Sequence, residues 1–187
     1  MKDKICVFTG SRAEYGLLKH LMFLLQKSEE FELQIIATAM HLSPEFGLTY
    51  QEIEGDGFFI NRKIEMLMSA DTPSSISKSV GIGMISFSDA IQELKPDLLI
   101  LLGDRSELLS IAPVCLFSNI PIAHIHGGEI TEGAYDDVIR HSITKFSNLH
   151  FVATEEYRAR VIQLGEDPSF VFTVGGLGAD AISKIDL

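Results

Sequence analysis

Acidic, basic and imidazole side chains are concentrated in two polar clusters that each follow a short apolar run. The run at residues 97–102 stops at a Gly-Asp-Arg sequence, and the run at 120–125 stops at His-Gly-Gly-Glu. Such runs, separated by a helix-length segment, are typical of buried parallel strands, and open α/β sheets bind ligands beyond the carboxyl ends of their strands. The titratable side chains that we expect to converge there are Asp104, Arg105, His124, His126, Glu129, Asp136 and Asp137.

Two chemistries fit the histidine pair in the second cluster. His124 and His126 are two residues apart, so in an extended segment they point to the same face. An imidazole held by a carboxylate suits general acid/base chemistry near neutral pH. A His-x-His pair could also ligate a metal ion together with Glu129, Asp136 or His141. We predict no metal, because the pair has no cysteine partners and the surrounding residues are explained without an ion.

The aspartates of both clusters have a structural explanation beside the functional one. Asp104, next to Arg105, could be a catalytic carboxylate or the N-cap of the following helix. Asp136 and Asp137 precede an apolar-periodic segment and are first a helix-start signal. Asp136 could cap that helix or face the cleft. Arg140 lies one turn into the same helix and could reach the cluster or solvent.

Residues 10–16 (GSRAEYG) form a predicted strand-to-helix turn near the N-terminus. Free backbone N–H groups at a helix start attract anions, and Arg12 would help. The segment does not match G-x-G-x-x-G, so a dinucleotide is poorly supported. The alternative is an ordinary turn with a solvated arginine.

The bulk properties indicate one globular domain. The chain has 187 residues, 46% hydrophobic and 22% charged, and a formal net charge of -11, which argues against nucleic acid or an anionic membrane as the main partner. Its two cysteines, Cys6 and Cys115, lie in apolar segments and are expected to be buried free thiols. No apolar run approaches membrane-spanning length and no signal-peptide pattern is present, so a cytoplasmic protein is expected.

Strands and helices alternate along the whole sequence. This predicts an α/β fold with a Rossmann-like parallel sheet and helices on both faces, as a single domain over residues 1–187. Strands are predicted at 4–9, 32–39, 58–64, 97–102, 120–125, 149–153 and 170–174. Helices are predicted at 13–27, 73–94, 106–117, from about 136, and at 155–164, with a short helix in the tail. In the first helix the predicted packed residues are Leu17, Leu21, Leu24 and Leu25. In the 73–94 helix they are Ile76, Val80, Met84, Phe87, Ile91 and Leu94, and Gly81 and Gly83 lie outside this stripe.

The segment from GDRSELLS through HIHGGE to DDVIRHSITKF, together with GSRAEYG and MHLSPEFGLTYQEIE, resembles the hydrolysing UDP-N-acetylglucosamine 2-epimerases of sialic acid biosynthesis and their relatives. The resemblance runs from Lys4 to the last residue. It implies the N-terminal domain of a two-domain, glycosyltransferase B type fold, with a UDP-sugar bound between the domains. It also implies no nicotinamide or other cofactor, and a homodimer in the full-length enzyme.

The resemblance implies anti elimination of UDP across C1–C2 to give a glycal, then hydration and release of N-acetylmannosamine. The residues expected to be catalytic are Asp104, His126, Glu129 and Asp136. The residues expected to bind substrate are Arg12, His41, Arg105, His124 and Arg140.

The sequence departs from the family pattern at three places. Several members carry HIEGGE, with a catalytic glutamate where this chain has His126, so that role falls either to His126 or to Glu129. The loop before Asp136 is one residue longer. Both differences favour a modified sugar, such as a diacetamido-trideoxy hexose of the legionaminic acid pathway. The competing interpretations are a non-catalytic sugar-nucleotide-binding module and a glycosyltransferase acceptor domain.

The third departure is length, because the second domain, which supplies most nucleotide contacts in the family, is absent from these residues. We expect the 187-residue chain to fold by itself. With one wall of the cleft, it should bind UDP in the millimolar range at best, about -4 kcal/mol, and turn over no substrate.

Overall fold

The computed structural model describes residues 2–131 and 135–178, and it shows a seven-stranded parallel sheet in the order β3-β2-β1-β4-β5-β6-β7. The strands are β1 Asp3–Thr9, β2 Phe31–Thr38, β3 Arg62–Ile64, β4 Leu98–Leu102, β5 Ile122–Ile125, β6 Leu149–Val152 and β7 Val171–Thr173. The α-helices are α1 Arg12–Lys27, α2 Tyr50–Gly55, α3 Pro73–Leu94, α4 Leu108–Phe117, α5 Asp136–Phe146 and α6 Glu155–Gln163. Short 3-10 turns occupy Ala39–Leu42, Pro44–Phe46 and Pro168–Phe170. The predicted fold class is confirmed.

The central strands are apolar on both sides because helices cover both faces of the sheet. On one face Phe8 and Leu101 pack under α3, α4 and α5. On the other face Val7 and Ile100 pack under α1 and α2. The helix α6 covers the β6–β7 edge through a smaller apolar cluster around Val161.

The register of the two central strands β4 and β5 brings the polar clusters together. Leu102 of β4 pairs with Ile125 of β5, so the next residues, Gly103 and His126, leave the sheet side by side. The Gly103 N–H donates to the Ile125 carbonyl at 3.0 Å, which fixes this junction. The parallel topology therefore converts two separate sequence motifs into one group of side chains.

Both predicted helix stripes are wrong in part. In α1 the buried apolar residues are Tyr15, Leu18, Met22 and Leu25, whereas Leu24 is exposed. In α3 Met84 is exposed and Gly83 is buried, because α4 approaches α3 closely at this glycine. A Cβ at Gly83 would lie 2.9 Å from the Ser110 Oγ.

The short edge strand also differs from its prediction. Phe58 and Ile60 are buried in the core but outside any strand, and only Arg62–Ile64 pairs with β2. The pairing of β3 with β2 starts only after Asn61, whose side-chain Oδ1 accepts the Ile35 N–H at 2.8 Å in place of a backbone carbonyl.

Cys6 and Cys115 are free and buried, as predicted, and burial raises the pKa of both thiols. Within residues 2–131 and 135–178, no helix is long and apolar enough to cross a membrane. The helix predicted in the tail falls mainly on 179–187, outside the described residues.

Candidate functional site

The backbone turns sharply where β4 and β5 end. Gly103 has a φ of 77° and Gly128 has a φ of 77°, values that glycine adopts without steric cost. His126 has a φ of 64°, which is strained for a residue with a Cβ. The His126 N–H donates to the Phe151 carbonyl at 2.9 Å, and this bond helps to hold the strained residue at the sheet edge.

Arg140, in the second turn of α5, is the centre of the polar group. Its guanidinium side chain is 7% exposed. Nη2 donates to an Asp104 carboxylate oxygen and to Thr131 Oγ1 at 3.1 Å. Nη1 donates to Glu129 Oε2 at 3.2 Å and to the His126 carbonyl at 2.9 Å. One buried cation therefore ties the ends of β4 and β5 to the start of α5.

His126 and Glu129 form an imidazole–carboxylate pair. His126 Nδ1 lies 2.8 Å from Glu129 Oε1. The Leu177 N–H donates to His126 Nε2 at 3.3 Å, so this nitrogen is the acceptor and the ring proton is on Nδ1. The carboxylate thus selects the tautomer that leaves a lone pair on Nε2, as a general base requires.

The carboxylate of Asp104 lies in an environment that favours its protonated form. Burial raises the pKa of Asp104, and the negative charges of Asp136 and Glu129 raise it further, against the opposing effect of Arg140. Three carboxylates therefore share the neighbourhood of one buried guanidinium. Such a group can hold a proton and release it during a reaction.

The four residues predicted to be catalytic are brought together. Asp104 and Glu129 bind the same guanidinium, His126 binds Glu129, and Asp136 is close enough to change the pKa of Asp104. The first residue of α5 is Asp136, and its neighbour Tyr135 makes no side-chain cap. The catalytic roles of Asp104, His126, Glu129 and Asp136 stay predictions.

Two of the predicted substrate-binding histidines are buried. The His124 ring is fully buried, and its Nε2 donates to the Gly103 carbonyl at 2.8 Å. His41 is also fully buried, between Thr9 Oγ1 at 3.0 Å and Thr49 Oγ1 at 2.8 Å. Burial lowers the pKa of His124 to about 3 and that of His41 to about 4, so both rings are neutral.

These contacts join His124 to the Gly103 turn and His41 to Thr9 and Thr49, and the substrate-binding roles of both histidines stay predictions. The same-face prediction for His124 and His126 is wrong, because β5 ends at Ile125 and strand alternation ends with it. His124 packs beside Thr144 of α5, whereas His126 meets the Leu177 backbone.

The turn after β1 differs from the predicted anion cradle. The Gly10 N–H donates to Glu14 Oε2 at 2.8 Å, and the Ser11 side chain caps α1 by accepting the Glu14 N–H. This is close to a capping box, for which the Ser-x-x-Glu spacing was the available signal. The Gly10 N–H is therefore not free. Arg12 is 74% exposed and pairs with Glu52, so its predicted contact with substrate stays a prediction.

Arg105 reaches a cavity next to the polar group. Its Nε donates to Glu107 Oε1 at 2.6 Å, and Nη2 lies 3.3 Å from the Met40 Sδ. The cavity has a volume of about 440 Å³, and its lining includes Arg105, Met40, Phe46, Met66, Met68 and Tyr135. Glu107 and Glu14 are buried acidic residues that the sequence reasoning did not select.

The part of the chain that the structure describes contains no group of three or more His, Cys, Asp or Glu residues placed to hold a metal ion. His124 is committed to the Gly103 carbonyl and His126 to Glu129 and Leu177. The described side chains therefore offer acid/base and cationic groups for the chemistry.

Comparison with known sequences places this chain in a family. A profile of the family described as UDP-N-acetylglucosamine 2-epimerase matches residues 24–186. The chain is 50% identical over 185 residues to the GDP/UDP-N,N'-diacetylbacillosamine 2-epimerase (hydrolyzing) of Campylobacter jejuni, covering 99% of this chain and 48% of that protein. It is 40% identical to the UDP-N,N'-diacetylbacillosamine 2-epimerase (hydrolyzing) of Legionella pneumophila, covering 98% and 48%. It is 32% identical to a UDP-N-acetylglucosamine 2-epimerase of Neisseria meningitidis, covering 100% and 48%.

Solved structures agree in fold. A crystal structure of a UDP-N-acetylglucosamine 2-epimerase matches with a TM-score of 0.86 and 18% identity, covering 98% of this chain and 51% of that one. The UDP-GlcNAc 2-epimerase of Neisseria meningitidis bound to UDP-GlcNAc matches with a TM-score of 0.84 and 19% identity, covering 96% and 48%. The chain spans about half the length of the curated relatives it matches. By sequence and fold, the chain belongs to the UDP-N-acetylglucosamine 2-epimerase family.

Proposed function

We propose that these residues form the N-terminal domain of a hydrolysing 2-epimerase that acts on a UDP-linked 2-acetamido sugar. The observation that carries the proposal is the group around Arg140, in which Asp104, Glu129 and His126 meet at the ends of two adjacent strands. The family match supports the reaction class, and the length of the relatives supports a second domain that closes the nucleotide site. A homodimer of the full-length enzyme belongs to the same proposal.

The reaction requires acid/base groups at C2 and stabilisation of the departing UDP. Elimination removes the weakly acidic C2 proton and expels UDP, and hydration of the glycal returns a proton to C2 and adds water at C1. Inversion at C2 requires that the proton be removed and returned on opposite faces of the sugar. The site provides two separate sources, His126 with Glu129 after β5, and Asp104 with Asp136 between β4 and α5.

The geometry favours His126 over Glu129 as the group that meets the substrate. Both Glu129 oxygens are engaged, Oε1 with His126 Nδ1 and Oε2 with Arg140. Among the described residues, the Leu177 backbone alone bonds His126 Nε2, and this bond must open before Nε2 can accept a proton. We therefore assign the proton transfer to His126 and the orientation of its ring to Glu129.

Asp104 is assigned to the second proton transfer. Burial and the neighbouring carboxylates raise the pKa of Asp104, a direction that suits a carboxyl that donates a proton. Asp136 lies close to it and is assigned to the water that adds at C1. Arg140 holds the carboxylates in place and does not itself need to contact the sugar.

Two substrates are candidates within this reaction class. UDP-N-acetylglucosamine is the substrate named for the Neisseria relative, at 32% identity. A UDP-diacetamido-trideoxy sugar is favoured by the names of the two relatives at 50% and 40% identity. The apolar residues around Arg105, including Met40, Met66 and Met68, would suit a methyl or acetamido group better than free hydroxyls.

The test is incubation of the full-length gene product with UDP-N-acetylglucosamine and, separately, with UDP-N,N'-diacetylbacillosamine. We expect free UDP and a free sugar inverted at C2 from at least one of them. The 187-residue chain alone should release no UDP from either sugar nucleotide, because an open half-site leaves the charges in water. Release of the sugar with unchanged configuration at C2 would contradict a 2-epimerase.

A further inference from the structure

The buried acidic residue Glu107, at the start of α4, has no part in the reaction steps assigned above. It is 4% exposed and directly precedes the first residue of α4, yet its side chain does not cap the helix. An acidic side chain at a helix start ordinarily stays in water near the free N–H groups. Glu107 instead turns toward Arg105, so its burial has another reason.

Arg105 is the partner that compensates this buried charge. Its Nε donates to Glu107 Oε1 at 2.6 Å, and its side chain is still 39% exposed. A guanidinium has five N–H donors. Among the described residues only Glu107 and the Met40 sulfur accept from it. The remaining donors are on the exposed part of the side chain, which lines the cavity of about 440 Å³.

Two neighbours keep the Glu107 carboxylate directed at Arg105. Gly10 lies directly behind it, and a Cβ at that position would be only 2.5 Å from Glu107 Oε1. On the other side of Gly10, the carboxyl of Glu14 is buried and accepts the Gly10 N–H at 2.8 Å. Glu107 thus has little room to move away from Arg105, which is its cationic partner among the described residues.

We propose that Glu107 is a positioning residue that holds the Arg105 guanidinium toward the cavity, where Arg105 binds the pyrophosphate of the UDP-sugar. The inference rests on the proposed function, since it needs a sugar nucleotide as the ligand. A guanidinium fixed at Nε by a carboxylate presents its Nη groups as a fork, which matches the paired oxygens of a phosphate. Arg105 would thus provide a pyrophosphate contact from the loop after β4.

The test compares variants of the full-length gene product by steady-state UDP release over a range of UDP-sugar concentrations. We expect Glu107→Gln to raise KM about 10-fold or more, as loss of a charge-assisted contact does, while kcat stays within a few-fold of wild type. Arg105→Met should raise KM similarly, and the double variant should be no worse than Arg105→Met alone. The matched control is Glu93→Gln, which removes an acidic partner from the exposed Arg62–Glu93 pair and should leave both constants unchanged.

The readout separates positioning from a purely structural role, because misfolding lowers the active fraction and hence the apparent kcat without a selective effect on KM. If Glu107→Gln does not fold, Glu107→Asp keeps the charge one methylene further from Arg105 and should give a smaller KM increase. An unchanged KM in the folded Glu107 variant, or additive effects with Arg105→Met, would overturn the positioning role alone. Absence of UDP release by the wild-type protein would overturn the proposed function, and this inference with it.

Discussion

The ends of the neighbouring strands β1 and β2 carry an arginine, a glutamate and a histidine, as the end of β5 does, and the two regions use them differently. After β1, Arg12 is exposed and Glu14 accepts a backbone N–H, and after β2, His41 is buried between two hydroxyl groups. After β5, Arg140 is buried, Glu129 binds His126, and the second ring nitrogen of His126 accepts the Leu177 N–H. The first region leaves its arginine in solvent, whereas the second gathers acidic groups around a buried arginine, the arrangement for which we propose proton transfer.

Residue type at a strand end therefore does not by itself indicate chemistry. What separates the two regions is the location of the arginine. Arg12 is 74% exposed, so its pair with Glu52 is screened by water. Arg140 is 7% exposed, and its two carboxylate partners are fixed by it. A buried cation can hold several acidic groups near one another without unfolding the domain.

The largest expected effect is on turnover by the full-length protein. His126→Gln, Asp104→Asn and Asp136→Asn should each lower kcat for formation of the free epimerised sugar by about 10²–10⁴-fold, because each removes a group assigned to a proton transfer or to the water that adds at C1. Glu129→Gln should lower kcat by less, since Glu129 only orients the His126 ring. His41→Gln, in the turn after β2, is the control and should reduce kcat far less. A milder loss for His126→Gln than for Glu129→Gln would reverse their assigned roles.

The second expected effect is on the stability of the 187-residue chain. Arg140→Met leaves Asp104 and Glu129 without their cation and should lower the free energy of unfolding by about 3–5 kcal/mol. Chemical denaturation followed by circular dichroism measures it. A loss of less than about 1 kcal/mol would mean that the carboxylates do not depend on Arg140.

The third expected effect concerns pH and tests whether the β1 region holds a proton. Burial and the negative charge of Glu107 raise the pKa of Glu14 from 4.5 to about 7. A carboxyl whose pKa is raised on folding contributes stability below its unfolded pKa, and that stability is lost as pH rises through the folded pKa. As pH rises from 4.5 to 8, ionisation of Glu14 should therefore lower the free energy of unfolding by about 3 kcal/mol.

Comparison with Glu14→Gln isolates this contribution, because buried histidines such as His41 and His124 change stability with the opposite sign. We expect the difference in unfolding free energy between variant and wild type to shift in favour of the variant as pH rises from 5 to 8. A difference that is constant with pH would show that Glu14 is ionised throughout, in which case its carboxyl carries no proton.

The smallest expected effect is that of Arg12→Met, the counterpart of Arg140→Met. An exposed ion pair contributes about 0–1 kcal/mol, so the unfolding free energy should change by no more than that. The same denaturation experiment checks it. A loss as large as that of Arg140→Met would remove the distinction between the two regions.

The convergence of Asp104, His126, Glu129 and Asp136 was predictable, because the carboxyl ends of neighbouring parallel strands meet at one edge of a sheet. The role of Arg140 was not, since its sequence position says only that it lies a turn into a helix. Its burial depends on how α5 packs over β4 and β5. His124 shows the same limit, because whether a histidine near a strand end is a core residue depends on the residue at which the strand stops.

The packed faces of α1 and α3 were mispredicted for a related reason. Apolar spacing located the helices but not the rotation of each helix against its neighbours. Gly83 is buried because α4 comes within contact distance there, and the apolar pattern of α3 alone contains no information about α4. The Ser11–Glu14 cap, in contrast, had a recognisable spacing that an anion-binding interpretation concealed.

We propose that the group around Arg140 exchanges the C2 proton of a UDP-linked 2-acetamido sugar. The most direct measurement is the reaction of the full-length protein in deuterium oxide, with the product sugar analysed by NMR or mass spectrometry. We expect free UDP and one deuterium at C2 of a sugar inverted at that carbon. His126→Gln should lose both, whereas Asp104→Asn should lose the deuterated sugar, because the proton transfer assigned to Asp104 follows the release of UDP. UDP release with hydrogen retained at C2, or deuterium incorporation that is unaffected in these variants, would contradict it.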